Sequence, residues 1–274
     1  MDPILGALRA RPRRSPSTLD AWANAAVAAI GFLREDQSLI DWAVFDPNAE
    51  VLSQMDDGVM RDGIWQDRAL HYHFYTLQAF LVVAETMSRS GMNLDLYTWT
   101  SPQGQSLRQM FLSPIGLLDP YLKLPGSGDS LGTLEIHRFW HYLFGWRRYG
   151  DQEFAWILSH AQRPVVDADV FSTAGTLFND RELSEEPPPP EAPGKAYQDA
   201  GWMSLRSIES RGYWMSDAVQ VLLSYGGGET HDHADKLNID IAGFSGRLVE
   251  DKSVFAYGDG AVTPERPAGS RHHL

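Results

Sequence analysis

The sequence predicts a multi-domain α-then-β protein: a helical N-terminal half, then the start of an antiparallel β-sheet domain of sandwich type. Three observations predict it. Apolar residues recur at three- and four-residue spacing through the first half of the chain. A proline-rich acidic stretch, SEEPPPPEAPG (Ser184–Gly194), then interrupts the pattern. Beyond it, short apolar runs alternate with a period of two between glycines. The resulting division is a helical domain over 1–183, a linker or long loop over 184–196, and a β domain over 197–274.

Taken in order, Ser17-Thr18-Leu19-Asp20 supplies N-cap chemistry for a first helix, with Trp22, Ala26, Ala29, Ile30 and Leu33 as its apolar spacing. A second helix is expected over Gln37–Val44, stopping before Pro47. After the acidic turn Asp56-Asp57-Gly58 and the segment Arg61–Asp67, a long helix is expected from Leu70 to Ser90, capped by Gly91. Further helices are expected over Gln105–Phe111, Leu134–Tyr149 and Gln152–His160, with Pro/Gly-punctuated loops between them. The linker reads as extended and solvated. The runs Trp202–Ser207, Ala218–Tyr225, Leu237–Ala242 and Arg247–Glu250 read as strands of a sheet beginning near residue 197. Four to six strands fit the remaining length, few for a complete sandwich, so the sheet is expected to be cut short.

The chain has 274 residues, 43% of them hydrophobic, enough to bury a sizeable core. Nine Trp, ten Tyr and twelve Phe suit that core, and they also suit clefts where ring faces pack on sugars. A net charge of -13 argues against general nucleic-acid binding. The absence of cysteine excludes disulfides and thiolate metal sites. No apolar run approaches the roughly 20 residues of a membrane span, and the N-terminus has no signal-peptide core.

Two clusters carry chemistry. In HDHAD (His231–Asp235), His231 and His233 are two apart on an extended segment and face the same side. With Asp251, placed where a neighbouring strand can return, they offer the nitrogen and oxygen donors that zinc takes, and Asp235 fits a supporting role. The competing reading is a pair of surface histidines at a hairpin. The second cluster is HYHFY (His71–Tyr75) at a helix start. Tyr72 and Tyr75 share a face, as do His71 and Tyr75. This is either a functional Tyr/His face or an amphipathic packing face whose polar tips are satisfied.

Together, the DGIWQD…YHFYTLQA segment and GGxxHDHADKLNIDI with its trailing Asp251 resemble the heparinase II/III-like family and the related alginate and oligoalginate lyases. The resemblance runs from about Trp22 to Tyr257. It implies an (α/α) toroid followed by β-sheet domains, here an incomplete toroid and the start of the sheet. It implies a lyase that cleaves a uronic-acid polysaccharide by β-elimination: a base removes the C5 proton, donors stabilise the charge building on the carboxylate, and an acid protonates the leaving oxygen.

The same resemblance implies the site. Tyr72 is the catalytic tyrosine and His231 the catalytic or charge-stabilising histidine. His233 and Asp251 are metal ligands, for zinc in some relatives, and His273 or its neighbour His272 stands where a third ligand belongs. Relatives carry an Asn–His pair in an early helix; here Asn24 is retained without the histidine. His71, Tyr75 and Arg68 are substrate-binding candidates, though Arg68 reads first as a solvated surface arginine and second as a carboxylate contact. The resemblance further implies a secreted or periplasmic location. Two alternatives are a non-catalytic or fragmentary glycan-binding relative and a zinc-dependent hydrolase that activates water.

Overall fold

The structure is a computed structural model in which residues 6–7, 10, 16–46, 50–130, 134–135, 140–160, 187–226 and 236–250 are described. The chain divides into two compact units, Met1–Gln66 with Tyr72–Met110 and Asp67–His71 with Phe111–Leu274.

In the first unit, α1 (Thr18–Arg34) starts at Ser17, whose hydroxyl accepts from the Asp20 amide at 3.1 Å. Glu35 ends it in the left-handed region. The stripe expected from the large apolar residues is not the buried one. Ala21, Ala25, Ala28 and Gly31 face inward, while Leu33 is 85% exposed. The reason is close approach: a Cβ at Gly31 would lie 3.0 Å from the Leu39 Cβ, so only a small-residue face admits the next helix.

That helix, α2 (Gln37–Ile40), is capped by the Asp36 carboxylate and widens into a π turn over Asp41–Phe45, one residue past the end expected from sequence. A short helix that the sequence pattern does not announce, α3 (Val51–Gly58), is capped by Glu50. Gly58 closes against the Trp65 ring, where any Cβ would stand 2.5 Å from an indole carbon. Val59 and Trp65 form an antiparallel bridge across the intervening turn. The long helix α4 (Leu70–Arg89) forms as expected and is followed by Gly91 at φ +74°.

The helix α5 (Leu107–Leu112) belongs to the first unit as far as Met110, and the second unit takes up the chain from Phe111 with a 3-10 turn over Ser113–Leu117. A two-residue antiparallel pair follows, β1 (Lys123–Leu124) with β2 (Leu134–Glu135). The expected helix from Leu134 is therefore corrected: 134–135 belong to this pair, and α6 (His141–Tyr149) begins later. The intervening PGSGD turn chemistry favours a reversal over a helix entry. α7 (Gln152–His160) follows Gly150 as expected. Phe111, Tyr142, Tyr149 and Phe154 form one aromatic cluster, with ring centroids 5.5–6.3 Å apart.

Among the described residues the sheet has five antiparallel strands in sequence order: β3 (Lys195–Tyr197), β4 (Trp202–Arg206), β5 (Gln220–Ser224), β6 (Asn238–Gly243) and β7 (Gly246–Val249). The four expected runs all become strands. The sheet opens two residues before 197, inside the expected linker.

Alternation sorts the faces. Trp202, Ser204, Arg206, Gln220, Leu222, Asp240 and Ala242 are buried. They meet the 113–119 stretch, whose carbonyls they satisfy. Arg206 donates to the Gly116 and Leu118 carbonyls at 2.9 and 3.0 Å, Gln220 donates to Leu118 at 3.0 Å, and the Tyr197 hydroxyl donates to Ser113 at 2.6 Å. The expected solvated linker is docked at its described end: Pro187 and Ala192 are buried, and the Trp214 indole donates to the Pro190 carbonyl at 2.7 Å.

Candidate active site

In the first unit the candidate residues stand on two helices. The second turn of α4 begins where HYHFY splits its faces. His73 and Phe74 are buried with Leu70 and Leu77, Tyr72 is half-buried, and Tyr75 is 41% exposed. The Tyr75 ring lies against Trp22 of α1, centroids 5.0 Å apart and planes at 38°. The two phenols expected to share a face are thus on the solvent side of α4, with an indole beside one of them. Asn24 is on α1 and is fully buried, so its amide belongs to the packed side of that helix.

His73, unassigned from sequence, is the most tightly held group here. It is fully buried. The Trp65 backbone N–H donates to its Nδ1 at 3.1 Å, so Nε2 carries the proton and donates to the Met110 carbonyl at 2.9 Å. The Trp65 indole donates to the Thr18 hydroxyl at 3.1 Å, and Thr18 and Thr76 hydroxyls share a 2.9 Å hydrogen bond. The legible signal for His73 is its place on the apolar stripe Leu70-His73-Leu77-Phe80.

Burial lowers the His73 pKa to about 4, against the opposing pull of the Met110 carbonyl. A depressed histidine pKa means that the unfolded chain binds the proton more tightly. Its contribution is complete above about pH 6.5 and is lost as pH falls toward about 4, some 3 kcal/mol in all. Acid unfolding followed by Trp fluorescence is expected to show this loss, and His73→Gln to flatten it. An unchanged acid limb in the variant would show that other groups govern it.

In the second unit, Arg68 sits in the left-handed region at φ +55° and its Nη2 donates to the Asp199 carbonyl at 3.0 Å. This corrects the reading of a solvated surface arginine: it is half-buried and tied to a backbone oxygen. The His71 amide donates to the Ser130 hydroxyl at 3.4 Å, and burial lowers its imidazole pKa. His231, His233, Asp235, Asp251, His272 and His273 lie outside the described residues. Among the described residues no three His, Asp or Glu side chains gather as a metal site, and no helix is long and apolar enough to cross a membrane.

Residues 12–112, which hold Asn24, Tyr72, His73 and Tyr75, match the alginate lyase family. The fold resembles that of heparinase III, with a TM-score of 0.67 and 15% identity over 92% of this chain and 37% of that one. It also resembles the heparan sulfate lyase HepC from Pedobacter heparinus, with a TM-score of 0.57 and 17% identity over 93% of this chain and 35% of that one. A further heparinase III, the BT4657 gene product, gives a TM-score of 0.59 and 14% identity over 89% of this chain and 34% of that one. The chain thus spans little more than a third of the length of these structures. No curated protein matches it by sequence. The alginate lyase match thus covers the segment that carries α1 and α4, and the likeness to the heparinase III fold extends over nine-tenths of the chain.

Proposed function

We propose that the protein is a polysaccharide lyase that cleaves a uronic-acid-containing glycan by β-elimination, with its helices forming part of an (α/α) toroid. The observation that carries this reading is the alginate lyase match over residues 12–112, with Tyr72 half-exposed on the first turn of α4.

The chemistry follows from what the reaction moves. The C5 proton of a uronate is weakly acidic, and its removal places charge on the neighbouring carboxylate. A tyrosine whose phenolate is stabilised by a nearby cation takes that proton and, as phenol, returns one to the O4 leaving group. Tyr72 has this role. His231 supplies the imidazole that shares the work or stabilises the carboxylate. Tyr75 with Trp22 offers an aromatic face for a sugar ring, and His71 and Arg68 are polar groups close in sequence to Tyr72. His233, Asp251 and His273 would supply two nitrogens and one oxygen, donors of a kind zinc accepts, and a bound ion would supply positive charge.

The test is incubation with alginate, heparan sulfate and hyaluronan while following the ultraviolet absorbance of the 4,5-unsaturated uronate. Absorbance is expected to rise with one of them. A folded protein that yields no unsaturated product from any uronate polymer overturns the lyase reading. Saturation binding of glycan without turnover would then identify a glycan-binding relative, for which the Trp22–Tyr75 ring pair, with Tyr75 exposed and Trp22 half-buried, is the supporting feature.

A further inference from the structure

We propose that His73 is a positioning residue for Tyr72: it fixes the first turn of α4, and with it the direction in which the tyrosine hydroxyl is presented. This rests on the assignment of Tyr72 as the acid–base group.

The first turn of a helix is its least constrained part, because its N–H groups have no partners inside the helix. Tyr72 stands on that turn, so the helix's own hydrogen bonds constrain it less than they constrain the middle of α4. The side chains supply the constraint. His73 bonds on both edges of its ring, accepting from the Trp65 amide at 3.1 Å and donating to the Met110 carbonyl at 2.9 Å. One residue thereby joins the turn before α4, α4 itself and the C-terminal half of α5. One helical turn later Thr76 bonds Thr18 at the start of α1, and Thr18 in turn receives the indole N–H of Trp65.

The two anchored residues, His73 and Thr76, are three apart and alternate with the solvent-side residues Tyr72 and Tyr75. Each candidate site tyrosine is therefore followed directly by a residue bolted into the core. Trp65 links both anchors. It is itself fixed by the absence of a side chain at Gly58, where its ring passes. A neutral imidazole suits the position because it alone combines one acceptor and one donor on opposite edges of a rigid ring. A misplacement near 1 Å at a catalytic group costs about a hundredfold in rate, so an anchor of this kind matters to turnover more than to binding.

The test compares His73→Leu and His73→Gln with the unaltered 274-residue protein. Leucine keeps the volume and removes both hydrogen bonds; glutamine retains one acceptor and one donor. His73→Leu is expected to lower kcat at least tenfold on the responsive uronate polymer with KM changed less than threefold. It is also expected to speed amide exchange in peptides covering residues 70–76. His73→Gln is expected to recover most of both losses. Thr76→Val, which cuts the second anchor only, gives a smaller loss of the same kind and serves if the leucine variant does not fold. Folded variants with unaltered kcat and unaltered exchange over 70–76 overturn the proposal. If the unaltered protein cleaves no uronate polymer, the lyase reading fails by itself, and exchange over 70–76 still decides whether His73 holds the turn.

Discussion

Tyr72→Phe is expected to lower β-elimination at least a hundredfold while leaving the protein folded. The substitution removes one oxygen from a half-buried side chain and keeps the ring, so helix α4 and its packing are undisturbed. A single positioned acid–base group contributes about 10²–10⁴ to a rate, and in this proposal the same phenol serves both proton transfers. The loss should therefore fall in kcat, with KM nearly unaltered, because the ring remains available to the sugar. Thermal unfolding should move little, since the half-buried ring stays in place and the loss of one hydroxyl costs about 1 kcal/mol. Initial rates of unsaturated-uronate formation at saturating polymer, beside a melting curve, give both readings. A phenylalanine variant that retains more than half the rate would show that a different group moves the proton, with Tyr75, three residues on and more exposed, the next to replace.

The contrast between Tyr72 and His73 shows how far sequence alone reaches. A Tyr/His-rich helix start stands out because so many polar tips rarely share one packing face, and that much is visible in HYHFY. Which of the five residues is solvent-side depends on where the helix meets its neighbours. His73 has no local signal of its anchoring role beyond its place on an apolar stripe, because one of its partners lies 37 positions away at Met110. Arg68 is similar: read locally it is a surface cation, and only the Asp199 carbonyl, 131 positions on, makes it a structural tie.

The fold was legible where one period runs long enough to be read. The 20-residue helix α4 and the strands of the sheet follow their apolar patterns closely. Some of the shorter elements did not announce themselves. β1 and β2 are too short to show a period, and α3 mixes acids, serine and glycine with its apolar residues. In α1 the large side chains misled, because an alanine and glycine face allows closer helix contact than the Trp22–Leu33 spacing suggested. The proline-rich linker misled for another reason. Its composition says solvated, and a tryptophan 24 residues away supplies the partner that docks it.

Arg206→Met is expected to destabilise the sheet unit by about 3 kcal/mol, lowering the melting temperature by several degrees. Arg206 is buried and donates to the carbonyls of Ile115, Gly116 and Leu118, at 3.4, 2.9 and 3.0 Å, where the 3-10 turn ends. Its guanidinium lies over the rings of Tyr213 and Trp214, 4.4 and 5.3 Å from their centroids. Two effects compete. Burial disfavours the charge and pulls the arginine pKa down, so removing the charge recovers desolvation energy. Against this, the donor meets carbonyls at the C-terminal end of a helical turn, where the backbone dipole favours a cation, and methionine would leave the Gly116 oxygen without this donor. A buried group left without its partner costs about 1–3 kcal/mol, and a stacked cation adds roughly 1 more. The loss of partners should therefore win. Leu118 would keep Tyr213 and Gln220 as donors, so the turn should loosen at Gly116 first. Chemical denaturation of Arg206→Met and Arg206→Lys separates the contributions: lysine keeps the charge without the planar fork or the stacking. A methionine variant as stable as the unaltered protein would mean that desolvation cancels the three hydrogen bonds, and that Tyr197, Tyr213 and Gln220 hold the 113–118 stretch without the arginine.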